Sequence, residues 1–507
     1  MKVMLLTILS IFLAVSCGKD PQPQPEHVNL SADKTALEFA AEGGEQTITV
    51  TASEKLYIVA DTWLTAKQGT KSEDHKIVVT FTAAANDKAE ERAVKVSLVA
   101  GDEKIYVDVT QAAAEKKDEP GGEDPIAPDN NGNVAWQMLE KFGLGWNLGN
   151  QMDAYNNDNN VSAETEWGNP KATQTTFNKV KAAGFTTVRI PVTWMGHVGA
   201  APEYKIEEAW LNRVAELVGY AENAGLNAVV NIHHDDKEWL SIKSAANNAE
   251  THAQLLAKIE AMWTQIAEKF KDKGDFLVFE AFNEVHDGGW GWGSNRNDGG
   301  KQYQCMNEWN QKFVDAVRAT GGNNVRRILG VPAYCTNVDI AVENFVMPED
   351  VVEGRLMMSV HSYDPYDYAL AATKSEWGHT AEASKKVAGD NELQIRTMFE
   401  KIYVNFISKG IPVYMGEFGC VNRATAREQA FQQYYLKYFT KAAQTYGVPC
   451  FIWDNGAKGA GEEKHAFLDH ATGEFASTGA ASAINAMIST YKSDYTLEDV
   501  YNKAPTF

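Results

Sequence analysis

No two cysteines of this chain stand at the close C-x-x-C spacing of a zinc or redox site. There are five in 507 residues. With Cys17 set aside, Cys305, Cys335, Cys420 and Cys450 read as buried thiols rather than ligands, with one disulfide left open by the sequence. Positive charge is scarce too: 47 Lys and Arg against 68 Asp and Glu leave a formal charge of −21. A chain so acidic, with no basic stripe, repels a phosphate backbone, which argues against nucleic acid and is compatible with neutral polysaccharide. Past the N-terminus, no apolar run reaches membrane length. What is present is 44% hydrophobic content, enough in a chain of this length for more than one core.

The ends and joints stand out by composition. MKVMLLTILSIFLAVSC has Lys2, an apolar run from Met4 to Val15 and small residues before Cys17, the pattern of an export signal over 1–16 that is too short to span as a mature helix. Ala14-Val15-Ser16-Cys17 resembles the lipobox of bacterial lipoproteins, and Gly18-Lys19-Asp20 resembles the export tag of some Bacteroidetes lipoproteins. The resemblance implies a lipid on Cys17 and a protein held at the outer membrane, facing the cell exterior. Residues 17–27 and 114–133, rich in Pro, Gly and charge, read as a tether and an interdomain linker.

Between them, 28–113 alternates apolar and polar residues in short runs such as QTITVTA, HKIVVTFTA and KIYVDVTQA, with Gly43-Gly44 and Gly101-Asp102 at turns. That pattern predicts a small antiparallel all-β sandwich of immunoglobulin-like type. Gly43-Gly44, the Asp61-Thr62-Trp63-Leu64 segment, Asn86 ahead of Glu91-Arg92, and Val109-Thr110-Gln111 resemble the BACON domain, which implies either a carbohydrate-binding module or a spacer. Trp63 is the candidate for sugar stacking, although a lone Trp in a small sandwich is more often core. Spacer is the expectation.

From 134 to 507 the pattern changes to eight short apolar runs: FGLGWNLGN (142–150), TTVRIPVTW (186–194), LNAVVNIHH (226–234), FLVFEAFNE (276–284), RRILGVPAY (326–334), LMMSVHSYD (356–364), VYMGEFG (413–419) and CFIWDNG (450–456). Helical stretches such as 207–225 and 252–270 separate them. Eight buried strands alternating with helices predict an α/β fold, a (β/α)8 TIM barrel, whose C-terminal face builds the site. An open doubly wound sheet is the structural alternative. Nearly every run ends in a residue able to do chemistry: Arg189, His233-His234, Asn283-Glu284, His361, Tyr363, Glu417 and Trp453. A strand feeding only a packed core has no reason to end so.

Glu284 and Glu417 carry most of the argument. Cleaving a glycosidic bond takes one carboxyl group to protonate the leaving oxygen and a second to attack or to activate water. GWNLGN (145–150), VRIPVTW (188–194), NIHHDD (231–236), FNE (282–284), HSYDPYD (361–367), GEFG (416–419) and WDNG (453–456) resemble glycoside hydrolase family 5, and most closely its subfamily 4. The resemblance implies that Glu284 is the acid/base and Glu417 the nucleophile. It implies that Arg189, His233, His234, Asn283, His361, Tyr363, Trp453 and Asn147 bind the sugar at the cleavage point. Where the family shows N-E-P, this chain has Asn283-Glu284-Val285, a departure that leaves the carboxylate untouched.

The expected chemistry is retaining, with a raised pKa at Glu284 from partial burial and the second carboxylate, and with Glu417 kept ionised by Arg189 and oriented by Tyr363. Trp290 and Trp292, set among glycines after the acid strand, are expected sugar platforms. Trp194, Trp239 and Trp377 stand evenly between subsite and core. The implied substrates are β-1,4-glucans: xyloglucan, mixed-linkage glucan, cellulose or glucomannan, cut internally. Mannan or xylan cleavage by the same mechanism, and glycan binding without catalysis, are the alternatives. Neither cofactor nor metal is needed, and a monomer is expected. The His233-His234-Asp235-Asp236 cluster could suggest a metal, but adjacent histidines on a strand point to opposite faces, which argues against their sharing one ion.

Overall fold

The computed structural model describes residues 30–113, apart from 61, 87, 89 and 102, and residues 133–507. The expectations for the export signal, Cys17, the tether and nearly all of the linker fall outside those residues. The chain divides into two compact units at Glu119/Pro120.

The first unit is a sandwich of two four-stranded sheets. One runs Leu30–Ala32, Gly44–Ala52, Lys76–Ala83, Leu64–Gln68, and the other Ala36–Phe39, Glu103–Gln111, Arg92–Ala100, Leu56–Val59. Ile48, Val50, Val79, Phe81, Val96, Leu98, Val107 and Val109 close its core from both sheets, as the period-two alternation dictates. The sheets are antiparallel except that Ala36–Phe39 pairs in parallel with Glu103–Gln111, a correction to the fully antiparallel expectation. The motif residues prove to be backbone satisfiers. Buried Asn86 donates to the carbonyls of Glu90 and Ala112, and buried Gln111 to those of Ala40, Ala41 and Ala84, groups that would cost free energy if left unpaired in the interior. Trp63 packs on the core with the Arg92 guanidinium 4.6 Å above its ring, which covers the face a sugar would need.

The second unit is a closed parallel barrel. Its strands are β1 (Leu144–Leu148), β2 (Thr187–Ile190), β3 (Asn227–Asn231), β4 (Leu277–Glu280), β5 (Leu329–Pro332), β6 (Leu356–Ser362), β7 (Val413–Phe418) and β8 (Cys450–Asp454), and β8 pairs back onto β1. One strand comes from each of the eight apolar runs. Every residue in these strands except Asn227 is buried, as a sheet walled by helices outside and packed inside requires. The helices are set by local chemistry. The Asn248 side chain caps Ala249–Phe270, a Thr425/Glu428 capping box opens Ala426–Thr445, and left-handed Gly225 ends Glu208–Ala224. All four cysteines of this unit are buried free thiols.

Two close approaches explain glycines of the GWNLGN run. A Cβ at Gly145 would lie 2.1 Å from the Phe451 ring, and one at Gly149 would lie 2.7 Å from the Trp453 ring. Both glycines let β8 side chains lie flat across β1.

Candidate active site

The C-terminal ends of β4, β6 and β7 bring two carboxyl groups and an imidazole together. Glu284 stands four residues past β4, while Glu417 lies within β7. A register irregularity between Val360 and His361 sets His361 opposite Glu417. One oxygen of each carboxylate and a ring nitrogen of His361 lie within 4.8 Å of one another. His361 Nδ1 is 2.7 Å from Glu284 Oε1 and 3.8 Å from Glu417 Oε1.

Arg189 lies beneath the pair with no solvent exposure. Its Nε donates to Glu280 (2.8 Å), its Nη1 to Glu417 (2.7 Å) and Asn147 (3.0 Å), and its Nη2 to the Asn283 carbonyl oxygen (2.8 Å). Glu280 is equally buried and accepts further bonds from Asn231, Ser359 and Tyr414. The guanidinium is thus neutralised by two carboxylates whose remaining lone pairs are engaged, the condition under which a buried charge is tolerated. Because Arg189 takes the Asn283 carbonyl oxygen, the amide NH2 is the end of that side chain left for a ligand.

The other carboxylate oxygen of Glu417 accepts from the Tyr363 hydroxyl at 2.8 Å; burial pushes that phenol well above its ordinary range, so it remains a donor. His233 Nδ1 accepts from the Asn231 amide at 3.2 Å. Its proton therefore sits on Nε2, 3.9 Å from Glu417 Oε1, and its ring lies parallel to Trp453 at 6.0 Å. Burial drops His233 well below its ordinary range and His234 and His361 to about 4, so the three imidazoles are neutral at neutral pH.

The carboxyl groups are displaced in the same direction, both chiefly by burial. Burial pushes Glu284 up to about 7, with Arg189 opposing, and Asp236 and Glu280 adding to the rise. Burial raises Glu417 as well, against the lowering effects of His361, Arg189 and the Tyr363 hydrogen bond. The arrangement offers one carboxyl group raised to about 7 beside a second whose two oxygens each accept from a donor, Arg189 and Tyr363.

Several expectations need correction. Asn147 is fully buried, and its amide donates to the carbonyls of Gly416, Phe451 and Ile452 while its oxygen accepts from Arg189. It ties β1 to β2, β7 and β8, and both polar atoms of its side chain are engaged within the barrel. Arg189, likewise unexposed, positions the Glu280 and Glu417 carboxylates and the Asn283 amide from below. Trp194 and Trp377 are fully buried core, while Trp239 packs on the core beneath Lys258. The face argument for His233 and His234 fails because β3 stops at Asn231; past it the two rings meet edge to face at 4.4 Å, and Asp153 joins them with donor atoms within 4.8 Å. Trp290 and Trp292 are 58% and 75% exposed. Their loop is pinned by Asp287, which accepts from the backbone of Gly289 and Asn295 and from the Ser294 hydroxyl. Sequence reasoning missed Glu280; a carboxylate inside the apolar run LVFE was the available signal.

Comparison with known proteins gives two family matches, Cellulase (glycosyl hydrolase family 5) over residues 152–459 and BACON, a putative N-terminal binding domain, over 57–112. The chain is 37% identical to endoglucanase A of Paenibacillus barcinonensis over 353 residues, 66% of this chain and 85% of the relative. It is 33% identical to a xyloglucan-specific endo-beta-1,4-glucanase of Bacteroides ovatus over 478 residues, 90% of this chain and 91% of the relative. A broad-specificity GH5-4 endoglucanase from Bacteroides salanitronis is 53% identical, with TM-score 0.69 over 74% of this chain and 99% of that one.

Proposed function

The chain belongs to glycosyl hydrolase family 5, and from that premise we propose that it is a retaining endo-β-1,4-glucanase in which Glu284 is the acid/base and Glu417 the nucleophile. The carrying observation is the closeness of the carboxyl groups: one oxygen of each lies within 4.8 Å of the other, which is in keeping with the roughly 5–5.5 Å of a retaining pair and short of the about 6.5–9.5 Å of an inverting one.

Glu284, protonated because burial raises it to about 7, donates its proton to the glycosidic oxygen as a Glu417 oxygen attacks the anomeric carbon. The C–O bond to the leaving chain breaks and an ester to Glu417 forms. Esterification removes the Glu417 charge, Glu284 becomes the stronger acid, and its carboxylate takes a proton from the water that cleaves the ester. The free Asn283 amide donates to the 2-hydroxyl, a bond that tightens as the ring flattens. His233 and Trp453 wall the reacting sugar. Trp290 and Trp292 carry the leaving chain, and neither lies in a closed pocket, which suits internal cleavage. Similarity to glucanases that include xyloglucan-specific and broad-specificity members supports a β-1,4-glucan as the substrate.

Reducing-end release on mixed-linkage β-glucan and on xyloglucan tests the reading, with Glu417→Gln and Glu284→Gln alongside. We expect release by the wild-type enzyme and losses of about 10²–10⁴-fold or more in both variants; unchanged release by either variant refutes its assignment. The Cys17 pattern supports lipid anchoring of an exported enzyme. Cys17→Ser should release the protein from the membrane fraction, and continued retention argues against the anchor.

A further inference from the structure

His361 meets more than the two carboxyl groups. It also lines a cavity of about 410 Å³ between the segments that follow β5 and β6, a size within the roughly 300–1,000 Å³ of small-molecule sites. One wall is a single face of the helix Asn391–Asn405 and its cap, where Asp390, Leu393, Gln394, Thr397, Met398 and Lys401 recur at helical spacing. The other wall is Asn337 and Asp339, at the start of the helix Val338–Asn344. Lys401 Nζ meets Asp339 Oδ1 at 2.7 Å and ties the two walls together. Asp364, just past the end of β6, joins His361 in the lining.

The lining selects by chemistry. Asp339, Asp364 and Asp390 stand against one ammonium, and Asp339 already holds it, so an anionic group is repelled. Hydroxyl groups are suited instead, because a carboxylate only accepts. Asp364 takes the Ser362 hydroxyl and Asp390 the Leu393 N–H, each at 2.9 Å on one oxygen, which leaves acceptor capacity on both. Asn337 spends its side-chain oxygen on the Ile340 N–H at 3.0 Å, leaving its NH2 as a donor. Leu393, 52% exposed, adds an apolar surface. Acceptors, a donor and an apolar patch match a neutral sugar ring. In the endoglucanase reading the leaving chain runs along Trp290 and Trp292, and none of the lining comes from their loop. What enters here is therefore a substituent on the polysaccharide rather than a continuation of its backbone.

We propose that this cavity receives a neutral monosaccharide branch carried by a glucose beside the scissile bond, which makes a branched β-1,4-glucan the better substrate. The inference rests on the endoglucanase reading and deepens it. The test measures kcat/KM on xyloglucan, whose glucan backbone carries xylose branches, and on unbranched mixed-linkage β-glucan, for the wild-type enzyme, Gln394→Trp and Thr397→Trp. Both substitutions fill the cavity from its helical wall. We expect each to lower the xyloglucan value by about tenfold and to leave mixed-linkage glucan within about twofold, so that the unbranched substrate also reports folding. Gln394 is exposed, so its variant decides the matter if the Thr397 change unfolds the protein. Wild-type values on xyloglucan in both variants, or an equal loss on both substrates in Gln394→Trp, overturn the proposal. So does a wild-type enzyme that cleaves mixed-linkage glucan and not xyloglucan, which leaves the glucanase reading standing. A wild-type enzyme inactive on both but active on mannan overturns the glucanase reading instead, and galactomannan beside unbranched mannan then decides the cavity by the same criterion.

Discussion

Arg189 does for this site what neither carboxylate could do alone: it permits two ionised glutamates, Glu280 and Glu417, in a dry interior. Replacing it with Met leaves those charges unpaired, and we expect a loss of about 3–5 kcal/mol in unfolding free energy by denaturant titration. Lys should not restore it, since one ammonium cannot reproduce a fork that meets Glu280, Glu417, Asn147 and Asn283 at once. Full stability in Arg189→Met would mean that the network is ornamental. Asp236 adds to the rise at Glu284, so Asp236→Asn should move the alkaline limb of kcat/KM to lower pH, and a shift upward contradicts that electrostatic account. Residues at the ends of apolar runs were legible because a barrel makes strand ends its site. Glu280 was not, because its partners Arg189, Asn231, Ser359 and Tyr414 come from four different strands that no local pattern joins. The partners of Asn147 were hidden for the same reason: its residue type suits sugar binding, but neighbours supplied by β2, β7 and β8 engage both polar atoms of its side chain.

At the scale of elements, the strands place chemistry through irregularity as much as through regularity. The shift at Val360/His361 sets His361 against Glu417, and the early end of β3 lets two consecutive histidines turn toward each other. Gly149→Ala puts a methyl group 2.7 Å from the Trp453 ring. We expect kcat/KM on soluble β-glucan to fall by about tenfold or more through displacement of that wall, with most of the protein still folded by circular dichroism. Activity unchanged would show that Trp453 does not wall the reacting sugar. Eight buried strands could be read from their apolar runs because parallel strands are covered on both faces. A one-residue register shift leaves no such trace, since it depends on which neighbouring strand supplies the hydrogen bonds.

For the whole molecule, each unit closes its own core and every residue of the candidate site comes from the barrel. Deleting residues 18–113 should therefore leave kcat/KM on soluble mixed-linkage glucan within about twofold, while a large drop would give the sandwich a part in catalysis. Both fold classes were legible from periodicity, two in the sandwich and alternating strand and helix in the barrel. The one parallel pair in the sandwich was not, because it is made by a strand whose partner lies some 70 residues on. Across the molecule the pH profile should be bell-shaped. Its alkaline limb lies near pH 7, where Glu284 loses the proton it must donate, and its acid limb lies where Glu417 takes one up. The most direct test of the central claim, a retaining Glu284/Glu417 pair, is an NMR time course of the anomeric protons released from a β-1,4-glucan. The account predicts that the β-anomer appears first and later mutarotates; first appearance of the α-anomer would contradict it.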